Sequence, residues 1–261
     1  MQKLALIKLG GSVVTFKDKP LAANTGAIDG ISRVLAQLST PAIIVHGGGS
    51  FGHYWSVKYD MHTKPAGYDP HGVSVVHESM IALNQIIINS MIRAGLNPYG
   101  MPPSVFAAGH KPVAAKIKQI YTMAKSEVMP VTFGDVVHME GNKYSILSGD
   151  ALMTMLAKVL RPSRVVFATN VDGIYKDMAS RELMREIRVT TGRKKRSIEF
   201  SKASGADVTG GMQRKVAEAF KIASRGMDVL MVNGLMPERI AEAVVEGTRL
   251  QVGTVVKGSR R

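Results

Sequence analysis

Residues 41–55 read PAIIVHGGGSFGHYW, an apolar run that passes straight into three glycines, a serine, a fourth glycine and two histidines. Ala42, Ile43, Ile44 and Val45 form the short, β-rich stretch typical of a strand buried in a parallel sheet. After His46, the glycines at 47, 48 and 49 free the backbone to bring its N–H groups close to a ligand, and such a loop suits an anion. A helix starting near Phe51 would add its unpaired N–H groups and its dipole to that preference. His53 then stands where a bound phosphate could meet an imidazole; the plainer reading is a tight turn followed by a surface histidine.

Two familiar patterns fail in context. Gly47, Gly49 and Gly52 satisfy G-x-G-x-x-G, with Asp69 at about the distance of a ribose-binding acid. That acid should end a second strand, yet Lys58 to Pro70 contains Pro65, Gly67 and Pro70 and no apolar alternation. Gly47 to Gly52 also has Walker-loop spacing, but His53 and Tyr54 occupy the Lys and Ser/Thr positions.

Upstream, Leu4 to Leu9 (LALIKL) is a second strand ending in glycines, at Gly10 and Gly11, followed by Ser12. Lys8, inside that apolar strand, demands a partner because an unpaired buried charge is costly. Lys17 is a second cation nearby, and a solvated lysine is the commoner fate for either. Asn24 to Ser39 has helical spacing, with Asn24 or Thr25 as the cap. Strand, helix and strand within about 45 residues imply parallel pairing and a right-handed crossover. Both glycine turns then lie at the carboxyl edge of the sheet, where open α/β sheets bind ligands.

Downstream, Gly72 to Gly95 reads as a long helix whose apolar face is wide enough for a buried core helix, or in part for the wall of an apolar substrate's pocket. Asn97 to Val105 suggests a short strand and loop, 117–128 a helix, and 128–133 a strand. Residues 136–139 and 143–147 flank a hairpin turn. Asp150, after Ser148 and Gly149, either caps the helix from Ala151 to Leu160 or orients the lysines and approaches the reacting phosphate. Arg161 and Pro162 mark a lobe boundary. A strand at 165–168 then leads into a polar turn at 169–175, and DVTGGMQRK (207–215) opens a helix at 212–225 with Lys215 in its first turn. A strand at 229–232, a helix at 237–245 and a strand at 253–256 follow. The alternation predicts an α/β fold, a three-layer αβα sandwich around an open, mostly parallel sheet.

The composition bounds the partners. With 261 residues, 45 % hydrophobic and 21 % charged, the chain has the makeup of a globular protein with a sizeable core. No apolar run approaches the roughly 18 to 20 residues of a bilayer span, and Met1 leads into a strand rather than a signal peptide, so a cytoplasmic protein without membrane contact is expected. The absence of cysteine excludes thiol chemistry and disulfides. The net charge of +14 favours anionic partners, but the basic residues are dispersed apart from Arg193, Lys194, Lys195 and Arg196 and the terminal Arg260 and Arg261. Phosphorylated small molecules are therefore expected rather than nucleic acid. Lysines without a Walker loop and several glycine turns point to phosphoryl transfer, which needs positioning and charge neutralisation more than a covalent nucleophile.

Five motifs in order, K-x-G-G-S at Lys8 to Ser12, H-G-G-G at His46 to Gly49, S-G-D at Ser148 to Asp150, T-N-V-D-G at Thr169 to Gly173 and T-G-G-M-x-x-K at Thr209 to Lys215, resemble the amino acid kinase superfamily across nearly the whole chain. The form HGGGSFGH, with His53, resembles the branch that holds the isopentenyl phosphate kinases and, close to them, the fosfomycin-resistance kinases. The resemblance implies ATP-dependent phosphorylation of isopentenyl phosphate to isopentenyl diphosphate in an archaeal-type mevalonate route, with a fosfomycin-type or other small phosphonate or phosphate kinase as the alternative. It implies ATP contacts from Lys8, Gly10, Gly11, Ser12, Gly49, Asn170, Gly211 and Lys215. Gly48, His53 and Gly149 would hold the acceptor phosphate, and Lys17 would stabilise the transferring group, making Lys8, Lys17, His53 and Lys215 the catalytic set. Asn170 departs from the aspartate common in relatives. Mg²⁺ is expected with ATP, and a homodimer through the first lobe. Residues 1–160 would form the acceptor lobe and 161–261 the ATP lobe on one continuous sheet.

Overall fold

The computed structural model describes residues 2–177, 182–189, 210–247 and 249–259. The RKKR run, Thr209 and the two terminal arginines lie outside them.

The strands are β1 (Gln2–Leu9), β2 (Ala42–His46), β3 (Pro98–Gly100), β4 (Ala107–Ala108), β5 (Lys111–Pro112), β6 (Met129–Phe133), β7 (Asp135–Met139), β8 (Lys143–Leu147), β9 (Pro162–Thr169), β10 (Tyr175–Asp177), β11 (Glu182–Leu183), β12 (Glu186–Arg188), β13 (Val229–Asn233) and β14 (Thr254–Lys257). The helices are α1 (Gly11–Val14), α2 (Thr25–Leu35), α3 (Gly49–Lys58), α4 (Pro70–Arg93), α5 (Ala114–Lys125), α6 (Gly149–Leu160), α7 (Gly210–Ala223) and α8 (Pro237–Val244). Eight strands form the main sheet in the order β12-β14-β13-β9-β1-β2-β6-β3. Every neighbouring pair is parallel except β13 with β14. The expected mostly parallel α/β sheet is present.

Period-two alternation divides the core into two layers. Leu4, Leu6, Ile43, Val45, Val165, Phe167, Val229 and Met231 pack in one cluster with residues of α5, α6 and α7. Ala5, Ile7, Leu9, Ile44, Val166, Ala168, Leu230 and Val232 pack in the other with α2, α4 and α8. The same alternation sends Lys8 to the α6 side and His46 to the α4 side.

The register brings the strand ends level. Leu9 lies opposite both His46 and Ala168, His46 opposite Phe133, and Thr169 opposite Asn233. Polar turns after β1, β2, β9 and β13 therefore share one edge.

Local differences from the sequence reading have plain causes. Asn24 caps α2 through its Oδ1, which accepts from the Ala27 N–H. Asp69 caps α4, with Pro70 at the first helical position, so that helix starts two residues before Gly72. Lys215 sits in the second turn of α7, not the first, because the helix begins at Gly210. Arg161 ends α6 in a left-handed conformation (φ 47°), and Pro162 follows at once as the first residue of β9.

Candidate active site

The turns are tied together by backbone hydrogen bonds that extend the sheet ladder by one residue. Gly10 N–H donates to Ala168 O at 2.9 Å, Gly47 N–H to Leu9 O at 2.9 Å, and Gly134 N–H to His46 O at 3.1 Å. The loops then touch. A Cβ on Gly11 would stand 2.4 Å from Gly49 N and 2.6 Å from Gly49 Cα, so side chains are excluded where the K-x-G-G-S and H-G-G-G turns meet. Gly49 has φ +48°, the left-handed region that glycine enters freely, and a Cβ there would strike Thr15 Oγ1. Thr15 is a residue the sequence reading did not single out. Its hydroxyl donates to Gly11 O at 2.8 Å and accepts from Ser50 N–H at 2.9 Å, clasping both loops.

Lys8 is 3 % exposed, and its Nζ lies 3.1 Å from Asp150 Oδ1, whose side chain is 14 % exposed. This is a Coulombic pairing more than a well-directed hydrogen bond, since Asp150 Oδ1 has no hydrogen-bond partner. Asp150 is not the cap of α6: Ser148 Oγ takes the Ala151 N–H, leaving the carboxylate of the first turn for the lysine. Of the two readings of Asp150, the structure supports the one that orients lysines. Gly149 borders the same cluster, with its Cβ position 3.2 Å from Lys8 Cε.

Lys215 joins this cluster electrostatically. Burial pushes its ammonium down to about 8, with Lys8 and Lys17 lowering it further and Asp150 opposing. Its Nζ donates to Gly211 O at 3.1 Å. Lys17 itself is exposed. Lys8 and Lys215 thus share the field of Asp150, with Lys17 near enough to act on Lys215, an arrangement that draws anionic ligands.

Ser12 Oγ donates to Asn170 Oδ1 at 3.0 Å, joining the turns after β1 and β9. Asp172, in the same turn as Asn170, is bound by Asn233 Nδ2 at 3.0 Å and by Arg239 of α8. Those contacts, Asn233 first and Arg239 after it, hold its carboxyl below the usual range. No local sequence signal links these positions, which lie 61 and 67 residues apart.

On the other side of the edge, His46 is fully buried and stacked on Phe133. Burial pushes its ring down to about 4, so it is neutral at physiological pH. Nδ1 lies 3.2 Å from Gly47 O and Nε2 3.2 Å from the Asn84 carboxamide. A neutral ring carries a single N–H, so it donates to one of two oxygens, Gly47 O or Asn84 Oδ1. Gly48 caps α3, and its Cβ position is 3.0 Å from Met80 Sδ on α4. His53 lies exposed in the second turn of α3. Alongside, Met61, Val76 and Val136 form a separate apolar cluster with Trp55, Tyr59, Tyr68, Val73, Tyr144 and Ile146 packed around it. His77 Nδ1 meets Asp135 Oδ2 at 2.7 Å, a pair formed across 58 residues.

The structure thus brings Lys8, Lys215 and Asp150 into one electrostatic cluster bordered by Gly149, with Lys17 acting on Lys215 from the exposed side, and Gly10, Gly11, Ser12, Gly49 and Asn170 into one set of touching turns. Gly48 and His53 share the start of α3.

This fold and edge define a class: an α/β protein with glycine-containing strand-end turns and a lysine cluster along one edge of a mostly parallel sheet. The chain belongs to the amino acid kinase family, whose model matches residues 3–233. It is 34 % identical to the isopentenyl phosphate kinase of Thermoplasma acidophilum, over 97 % of this chain and all of that one. It is 28 % identical to the isopentenyl phosphate kinase of Methanothermobacter thermautotrophicus, over 95 % of this chain and 98 % of that one. The solved structure of the T. acidophilum isopentenyl phosphate kinase product complex superposes with a TM-score of 0.78 at 30 % identity, covering 97 % of this chain and all of that one.

Proposed function

We infer that this chain is a kinase that transfers the γ-phosphoryl group of ATP to isopentenyl phosphate, giving isopentenyl diphosphate and ADP in an archaeal-type mevalonate route. The observation that carries the reading is likeness to isopentenyl phosphate kinases along the full length of both chains. The site chemistry agrees with it. An alkyl phosphate is itself the nucleophile: one of its oxygens forms the new bond to the γ-phosphorus while the bond from that phosphorus to the bridging oxygen of ADP breaks. No strong general base is needed, but two anions must approach each other, and Lys8, Lys17 and Lys215 reduce that repulsion.

In this reading the loops after β1 and β9, with Gly10, Gly11, Ser12 and Asn170, and the start of α7, with Gly211 and Lys215, take the nucleotide. Gly48, His53 and Gly149 take the acceptor phosphate, Gly49 borders both, and the apolar cluster beside α3 and α4 takes the alkyl tail. Lys17 balances the transferring group. Residues 1–160 serve as the acceptor lobe and 161–261 as the nucleotide lobe.

The contact of Gly11 with Gly49 joins the two glycine turns into one continuous backbone surface, which fits a cradle for a nucleotide phosphate chain. Among the described residues no group of three or more acidic or histidine side chains could hold a metal ion. Mg²⁺ bound with ATP would supply further charge neutralisation beside Lys8, Lys17 and Lys215. A homodimer through the first lobe and a cytoplasmic setting complete the proposal. No helix among the described residues is long and apolar enough to cross a membrane.

A coupled ADP-release assay tests the reading with isopentenyl phosphate beside a panel of other monophosphates and phosphonates, including fosfomycin. Turnover highest with isopentenyl phosphate is expected. Preference for a phosphonate, or no turnover of any alkyl phosphate, would overturn it.

A further inference from the structure

Along α4, Val73, His77, Met80, Asn84 and Ile88 recur at three- and four-residue steps, which stacks them on one side of the helix. Most of this column meets the acceptor side of the site. Asn84 holds His46, Met80 lies under Gly48 and Gly52, and Val73 packs on the apolar cluster of Met61, Val76 and Val136. His77 therefore stands where the glycine loop gives way to the apolar cluster. From the sheet, Asp135 reaches the same place, directly after Gly134, whose Cβ position is 2.7 Å from Gly149 N.

The two side chains differ in freedom. Asp135 is 1 % exposed, and its Oδ1 accepts from Val136 N–H at 2.8 Å, so the carboxylate is fixed. Its other oxygen takes Nδ1 of His77 at 2.7 Å, which fixes the ring. His77 is 41 % exposed, and its Nε2 has no partner among the described residues. Burial raises the Asp135 carboxyl against the pull of His77, while the same hydrogen bond raises the imidazole. An ion pair wholly for stability would not need an imidazole with one nitrogen turned away from its partner and toward an accessible boundary.

We propose that His77, oriented by Asp135, is a further acceptor-binding residue, its Nε2–H donating to a phosphate oxygen where the acceptor's phosphate joins its apolar tail. Asp135 is then a positioning residue that acts through His77. The inference rests on the reading of the site as an alkyl phosphate kinase.

The experiment measures KM and kcat for both substrates, and the dissociation constant of isopentenyl phosphate by calorimetry, in wild type, His77→Ala, Asp135→Asn and the double variant. Thermal unfolding reports whether each variant folds. Loss of a charge-assisted hydrogen bond is expected to raise the acceptor KM and dissociation constant about tenfold or more in His77→Ala, with KM for ATP and kcat within about twofold. Asp135→Asn should weaken acceptor binding in the wild-type background and change nothing further once His77 is absent. An acceptor constant unchanged in His77→Ala, an equal rise in KM for ATP, or the same Asp135→Asn effect in both backgrounds would overturn the inference while leaving the kinase reading intact. A wild-type protein that neither binds nor turns over isopentenyl phosphate would remove both.

Discussion

Replacing Gly11 by alanine tests how closely the two phosphate loops must meet. The new Cβ would lie 2.4 Å from Gly49 N and 2.6 Å from Gly49 Cα, whereas carbon atoms rest at about 3.5–4.0 Å. The loops must therefore part by roughly 1 Å. Neither can yield freely. Thr15 holds Gly11 O and Ser50 N–H, and Gly47 N–H is bound to Leu9 O. Overpacking of this kind costs about 1–3 kcal/mol, which for a protein of this size lowers the unfolding midpoint by roughly 2–10 °C. The larger effect falls on catalysis, since a misplacement of about 1 Å between reacting groups costs on the order of a hundredfold in rate. Steady-state kinetics at saturating ATP and acceptor, with a thermal melt on the same sample, separate the two effects. A Gly11→Ala enzyme that melts and turns over as wild type would show that the loops are free to separate and refute the argument.

Other expectations follow from single contacts. His53→Ala should raise the acceptor KM about ten- to a hundredfold with little change in kcat, and Lys17→Met should lower kcat by on the order of a hundredfold with modest change in either KM; steady-state kinetics on both substrates check each. Because Lys215 is pushed down to about 8, kcat/KM for ATP should fall as pH rises through that value and the cation is lost. Bound phosphates favour the charged form, so the corresponding fall in kcat should come at higher pH, and Lys215→Arg should remove the limb from both profiles. Arg239→Leu should loosen the turn that carries Asn170, raising KM for ATP severalfold while leaving KM for the acceptor unchanged.

What could be read from the sequence was what repeats locally. The strand at 42–45 and its glycine turn, the helix read over 72–95 and the hairpin at 136–147 each show a period or a turn signal within a dozen residues. The common edge of the first two glycine turns also followed, because a parallel β1–β2 unit fixes it. Residues whose meaning depends on pairing were not legible. Asp135 and His77 carry no sign of each other in the sequence, because their contact spans 58 positions. Asp172 with Arg239, and Thr15 between the loops, were hidden for the same reason. Asp150 is intermediate: the sequence offered cap or lysine partner, and the choice turned on Ser148 occupying the capping role.

The central place of β1 bears on how the chain is made. It is made before every other strand of the main sheet, yet it sits between β2 and β9, and β9 begins only at Pro162. At ordinary elongation rates its second edge waits on the order of ten seconds after β2 has emerged. During that interval Leu4 to Leu9 presents an unpaired apolar edge, the kind of surface that recruits chaperones or a second nascent chain. Nascent chains arrested near residue 150 should be cut by protease within the α/β half-sheet, and chains arrested with β9 clear of the exit tunnel should resist. Vectorial synthesis thus makes the strand that carries Lys8 the earliest part of the main sheet to appear and among the last to be fully enclosed.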